Sequence, residues 1–243
     1  MELVEDSSSA NVKFYFLWEA YFGFLQLIFL QMMICGLKQT LPGVFQIIPE
    51  SGSAFFLRTK YLKVVKEKRL YSIEDYDNQQ DNFSEDEYAD ILSAALIYSA
   101  EKAALTYLAR AEQCRFLLTQ KLIHKGIDKI CVKEALDYLE EVHYLDDSRF
   151  ASAWLRSRAI DHAEGRRKLS AELISRGINR EISKKALDEY FEEHNEIDLC
   201  KKAYNKLIRQ KKKIERIGPS LISKGFSLSE IREVVNNGIK KII

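Results

Sequence analysis

One phrase constrains this chain more than any other, because it occurs three times. Lys121-Leu-Ile-His-Lys-Gly126-Ile-Asp returns as Glu172-Leu-Ile-Ser-Arg-Gly177-Ile-Asn and again as Ser220-Leu-Ile-Ser-Lys-Gly225-Phe-Ser. The glycines stand 51 residues apart (126 to 177) and then 48 (177 to 225), a period at which one supersecondary unit is used in tandem.

Each copy reads as helix, stop, helix. The Leu-Ile pair sits just inside a helix end, and a basic residue (Lys125, Arg176, Lys224) faces the negative end of the helix dipole. Glycine (Gly126, Gly177, Gly225) supplies the left-handed C′ conformation, and an apolar residue, Ile127, Ile178 or Phe226, tucks beneath it. Asp128, Asn179 or Ser227 then caps the following helix, and Ser227 with Glu230 spells a capping box. Those next helices carry Ala135-Leu136, Ala186-Leu187 and Val234-Val235 at matching places. Leu122, Leu173 and Leu221 are expected to be buried at equivalent points.

A repeat array buries apolar faces between neighbours and needs no single large core. The rest of the chain suits that: of 243 residues, 47% are apolar and 30% charged, and only 3 Pro and 10 Gly interrupt the helices. Net charge is +1, so any argument for an acidic or nucleic-acid partner rests on local clustering. Glu74 to Asp90 holds eight acids and no base, whereas Lys201 to Lys224 holds nine bases against Glu215 alone.

Taken in order, Phe14 to Leu37 is apolar and long enough as a helix to span a bilayer, yet contains Glu19, Gln26 and Gln31. Three readings stand: translation beginning at Met32 or Met33, a membrane anchor, or an apolar helix that packs or binds a partner. Val44 to Ile48 and Ala54 to Arg58, about Pro49-Glu-Ser-Gly52, read as a small hairpin. Tyr61 to Arg69 reads as a short helix, and the acidic run after Ile73 as a solvated linker until Tyr88. The expected divisions are an apolar extension (1–40), a hairpin and helix region (41–73), a linker (74–87) and repeats at 88–145, 146–195 and 196–243.

Within the repeats, Asp146-Asp147 precedes Phe150, Ala151, Trp154 and Leu155, which places an aspartate to cap a helix. Arg166-Arg167-Lys168 opens the helix after Gly165, where positive charge opposes the dipole, a pattern that suggests a partner's negative charge. Gly218-Pro219 is expected at the beginning of the Leu221-Ile222 helix.

The four cysteines (Cys35, Cys114, Cys131, Cys200) and four histidines form no metal-ligand spacing, so no metal, cofactor or disulfide is expected and a reducing, cytoplasmic setting is. No phosphate-binding loop and no nucleophile elbow occurs, which argues for a binding protein rather than an enzyme with a small-molecule substrate.

The run Tyr144-Leu-Asp-Asp147-Ser-Arg-Phe-Ala-Ser-Ala-Trp-Leu-Arg-Ser-Arg158, followed by Gly165-Arg-Arg-Lys-Leu-Ser-Ala-Glu-Leu-Ile-Ser-Arg-Gly177-Ile, resembles the bacterial RecX regulatory family. The similarity extends from about Ala104 to Val235; the apolar lead is foreign to that pattern. The resemblance implies an all-α fold of tandem three-helix repeats in an elongated curved array, with the small β-hairpin region before it. It also implies a partner, the RecA recombinase filament in recombination, DNA repair and the SOS response. By the same resemblance the array is expected to lie in the filament groove and to modulate, mainly by inhibition, ATPase and strand exchange. Single-stranded DNA inside the filament is a weaker second partner, and no membrane partner is expected.

The surface expected to meet that partner comprises Arg156, Arg158, Arg166, Arg167 and Lys168 with Lys201, Lys202, Arg209, Lys211, Lys212 and Lys213. The rival reading from the residues alone is a helix-turn-helix-like module that binds DNA without RecA, and a third is a scaffold whose charges only solvate it.

Overall fold

The computed structural model describes residues 34–74 and 83–239. The apolar lead as far as Met33, with the start at Met32 or Met33, and the middle of the acidic linker lie outside them. The chain divides into two compact units that meet in sequence between Ser99 and Ala100.

The first unit contains a three-stranded antiparallel sheet of order β1-β2-β3: β1 (Ile34–Leu41), β2 (Val44–Pro49) and β3 (Phe55–Arg58). The hairpin expected from the sequence is therefore β2 and β3, and the structure adds β1 over residues read as the end of an apolar extension. Its signal is Pro42-Gly43: proline presets the first turn position and Gly43, at φ +70°, takes the left-handed second one. Leu41 thus pairs with Val44. Phe45, Ile47 and Leu57 are fully buried.

The helix expected over Tyr61 to Arg69 falls later, as α1 (Glu67–Glu74), after a 3-10 turn at Thr59–Tyr61. Before it, Asp90, buried, accepts hydrogen bonds from the backbone N–H of Lys63, Val64 and Val65 at 2.8–3.0 Å. Asp90 belongs to α2 (Glu85–Leu108), which starts inside the stretch read as linker. Phe83, buried, precedes it.

The second unit holds the end of α2, from Ala100, and three helix groups. α3 (Arg115–His124) and α4 (Lys129–Glu141) complete the first repeat. α5 (Asp147–Asp161), α6 (Arg166–Ser175) and α7 (Arg180–Glu193) form the second, and α8 (Glu196–Arg209), α9 (Ile214–Ser223) and α10 (Leu228–Ile239) the third. Leu122, Leu173 and Leu221 are all 0% exposed. One apolar core runs through repeats two and three, from Phe150 and Leu169 to Phe226 and Val234, while Leu118, Leu136 and Leu145 centre another in repeat one.

The third repeat departs from expectation at Pro219. Helix α9 begins at Ile214 and carries proline in its interior. Ile217 occupies the buried place held by Leu118 and Leu169, so the helix must start a turn before the proline. The ring leaves one helical N–H bond unmade; the Ser220 hydroxyl donates to the Arg216 carbonyl at 2.6 Å one turn back.

Candidate partner-binding surface

The repeated phrase folds into the same turn three times. Ile127 N–H donates to Leu122 O, Ile178 to Leu173 and Phe226 to Leu221, each at 3.2 Å, and each glycine N–H donates three residues back at 2.9 Å. These two bonds define the Schellman motif, and Gly126, Gly177 and Gly225 have φ of +84°, +82° and +89°. Asp128 caps α4 through Ile130 and Cys131, and Asn179 caps α7 through Ile182. Ser227 and Glu230 form the reciprocal box at α10.

Successive repeats meet at two of those glycines, through a side chain at one and the backbone at the other. A Cβ on Gly177 falls 2.3 Å from the Phe116 Cβ, and one on Gly225 falls 2.4 Å from the Lys168 N. The Cys114 thiol donates to Arg176 O at 3.2 Å, and at the corresponding place Gly165 N–H donates to Lys224 O at 2.9 Å. The paired aspartates explain a third tie. Asp146 caps its own α5, whereas Asp147 reaches back to accept from the first N–H of α3, Arg115, at 2.8 Å. Burial raises the Asp147 carboxyl above the usual aspartate value despite that bond. Gly126 opens onto free space.

Helices α3 and α6 open with an arginine that is clamped in both. Arg115 bonds Asp137 at 2.6 Å and Glu140 at 2.5 Å; Arg166 bonds Asp188 at 2.5 Å and Glu196 at 3.2 Å and lies over the Phe191 ring. Arginine and aspartate are 22 residues apart in each. The third repeat has Ile214, 84% exposed, and Asn236 at those places. The Arg166 charge at the start of α6 is thus offset inside the protein.

The same holds for three more of the cations expected on the partner surface. Glu164, 3% exposed, accepts from Arg158 at 2.7–3.0 Å and pairs with Lys168 at 2.6 Å. Burial raises this carboxyl, but Lys168 and Arg158 outweigh it and hold it below the usual glutamate value. Lys201 pairs with Asp198 at 3.0 Å. By contrast Arg156, Arg167, Lys202, Arg209, Lys211, Lys212 and Lys213 are exposed and form no ion pair among the described residues.

Lys211 occupies the left-handed C′ place after α8 at φ +54°, where glycine stands in the repeated phrase. A side chain there costs about 1–2 kcal/mol, although its charge suits the helix end. Lys224 joins the two clusters: burial and the nearby Lys168, Lys206 and Arg158 depress its ammonium pKa, with Glu164 opposing. From the sequence Lys224 was read as the basic residue at its helix end and Lys206 as part of the basic run; the contacts between repeats that bring Lys224 to Lys168 and Arg158 are not visible there.

Across the Arg166–Asp188 pair the sign reverses. Glu192, Glu196, Glu230 and Glu233 line an open hollow of about 740 Å³ with them. No group of three or more metal-capable side chains occurs among the described residues, and none of their helices is long and apolar enough to cross a membrane. Burial lifts the Cys131 and Cys200 thiols to about 11, which keeps them protonated at neutral pH.

Residues 146–187 match the family model described as RecX, second three-helix domain. The regulatory protein RecX of Treponema pallidum is 34% identical over 149 residues, covering 61% of this chain and 91% of the relative. That of Geobacillus thermodenitrificans is 30% identical over 156 residues, covering 61% and 57%. A crystal structure of a regulatory protein RecX superposes with a TM-score of 0.64 at 21% identity, over 84% of this chain and 99% of the other. That of RecX from Lactobacillus salivarius gives 0.51 at 22%, over 58% and 96%. At those identities the structural likeness speaks to the fold.

Proposed function

The chain belongs to the RecX family of regulatory proteins, and from that membership we propose that it binds the RecA filament and restrains its ATPase and strand exchange. The observation that carries the reading beyond the family is the exposed basic run at the α8–α9 corner. Arg209, Lys211, Lys212 and Lys213 stand without an ion pair among the described residues, and Lys211 keeps a side chain where glycine is the easier residue.

The contact face consists of those four with Lys202, and of Arg156 and Arg167 on the second repeat. It meets acidic protein and the phosphates of single-stranded DNA in the filament. Arg158, Arg166 and Lys168 act from behind it, as ion-pair partners that hold the second repeat together. Exposed charges of this kind contribute about 0–1 kcal/mol each, so the face works by number and by steering.

The test is RecA's DNA-dependent ATPase with single-stranded DNA and ATP, to which the protein is added. Dose-dependent inhibition, with pull-down that requires assembled filament, is the expected result. Binding to DNA alone with a steep salt slope and no effect on RecA contradicts the reading and favours the helix-turn-helix-like alternative.

A further inference from the structure

The isoleucine that follows the buried leucine of each repeated phrase faces outward. Leu122, Leu173 and Leu221 are 0% exposed, yet Ile123, Ile174 and Ile222 are 41%, 45% and 50% exposed. A lone apolar residue on a surface needs no explanation, and other exposed apolar residues of these repeats are of that kind, because the copies differ there. Phe116 corresponds to Arg167 and Glu215, and Ile130 to Glu181 and Ser229.

The isoleucine is kept in all three copies while the residue two places before it changes from Lys121 to Glu172 to Ser220; His124, Ser175 and Ser223 follow it. Nor does the turn require it. The apolar contact of a Schellman motif joins C″ to C3, here Ile127 to Leu122, whereas the isoleucine is C2 and supplies only a carbonyl to the glycine N–H. Its β-branch also makes it a poorer helix former than leucine, lysine or glutamate.

Charge accompanies each isoleucine. Lys125, Arg176 or Lys224 follows two residues on, Arg176 being paired with Glu172 at 3.4 Å, and around the first copy Lys121 and Lys129 add to it while Asp128 is engaged in capping. At both junctions the carbonyl of that basic residue is held by the preceding repeat, Arg176 O by the Cys114 thiol and Lys224 O by the Gly165 N–H.

We propose that Ile123, Ile174 and Ile222, each with its following basic residue, form a three-toothed docking ridge for an acidic protein surface that offers apolar recesses bordered by carboxylates. The proposal rests on the filament reading: a polymer repeats one subunit surface and can present three like recesses to three like teeth.

The test uses the full chain with Ile123→Ser, Ile174→Ser and Ile222→Ser, singly and together, and with leucine at the same three places. Because the side chains are exposed, melting temperatures stay within about 2 °C of the parent. Binding to RecA filaments on single-stranded DNA falls about fivefold per serine and about a hundredfold for the triple variant. The loss persists at high salt, which screens charge but not apolar contact, and the leucine triple retains binding.

If the parent binds the filament and the serine triple binds as tightly, the ridge is wrong and the filament reading survives. If the parent does not bind, both fall. A serine triple that loses affinity for single-stranded DNA alone to the same degree overturns the ridge as a protein surface and assigns it to nucleic acid.

Discussion

The second and third repeats share a scaffold and use their charges in opposite ways. In the second, Arg158 and Lys168 enclose the buried Glu164, and Arg166 bridges Asp188 and Glu196. In the third, Ile214 and Asn236 replace the clamp, and Lys202, Arg209, Lys211, Lys212 and Lys213 stand exposed. A count of basic residues along the sequence rates the two alike. The difference lies in where each helix start finds a carboxylate, and it teaches that charge available to a partner is what remains after the fold has neutralised its own.

If the scaffold is the common part, removing its buried leucines costs the same in both repeats. Leu173→Ala and Leu221→Ala should each lose about 2–5 kcal/mol in urea unfolding; a large loss in one and none in the other breaks the equivalence. The glycines sharpen it further. Gly126→Ala meets only the left-handed backbone, about 1 kcal/mol, whereas Gly177→Ala also overlaps Phe116 and should cost about 1–3 kcal/mol more.

Next in size is the second repeat's own charge. Glu164→Gln should cost about 1–3 kcal/mol and reduce the loss of stability in acid. The sign follows from its lowered carboxyl pKa: the stabilisation is complete at neutral pH and disappears as pH falls below the ordinary glutamate value and through the folded one. Asp147 and Glu196, raised mainly by burial, act oppositely, since their contribution is present in acid and is lost as pH rises through their folded values. Thermal melts between neutral and acid pH for parent and variant check this. The smallest effect belongs to the third repeat: Lys211→Gly should leave the melt unchanged or gain about 0.5–1 kcal/mol, while weakening RecA inhibition.

Period, turn and cap were legible because they are local. Leu, basic residue, Gly, apolar residue and capping residue recur within eight positions, and φ at the three glycines follows from that. The helix capped by Asp146 was legible for the same reason. Asp147 was not, because its partner, Arg115, lies 32 residues earlier. The clamps at Arg115 and Arg166 were missed although arginine and aspartate recur 22 residues apart, a periodicity visible only when the copies are aligned on charge as well as on apolar residues. Strand β1 was hidden by the apolar run leading into it, and Asp90 by the acidic stretch that it ends.

The central claim, that most of the available charge sits on the third repeat, meets its most direct test in one variant: Lys211→Glu, Lys212→Glu and Lys213→Glu together, measured for half-inhibition of RecA's DNA-dependent ATPase at physiological salt. The account predicts a protein that melts like the parent and requires at least about tenfold more for half-inhibition. A triple variant that folds and inhibits as well as the parent contradicts it.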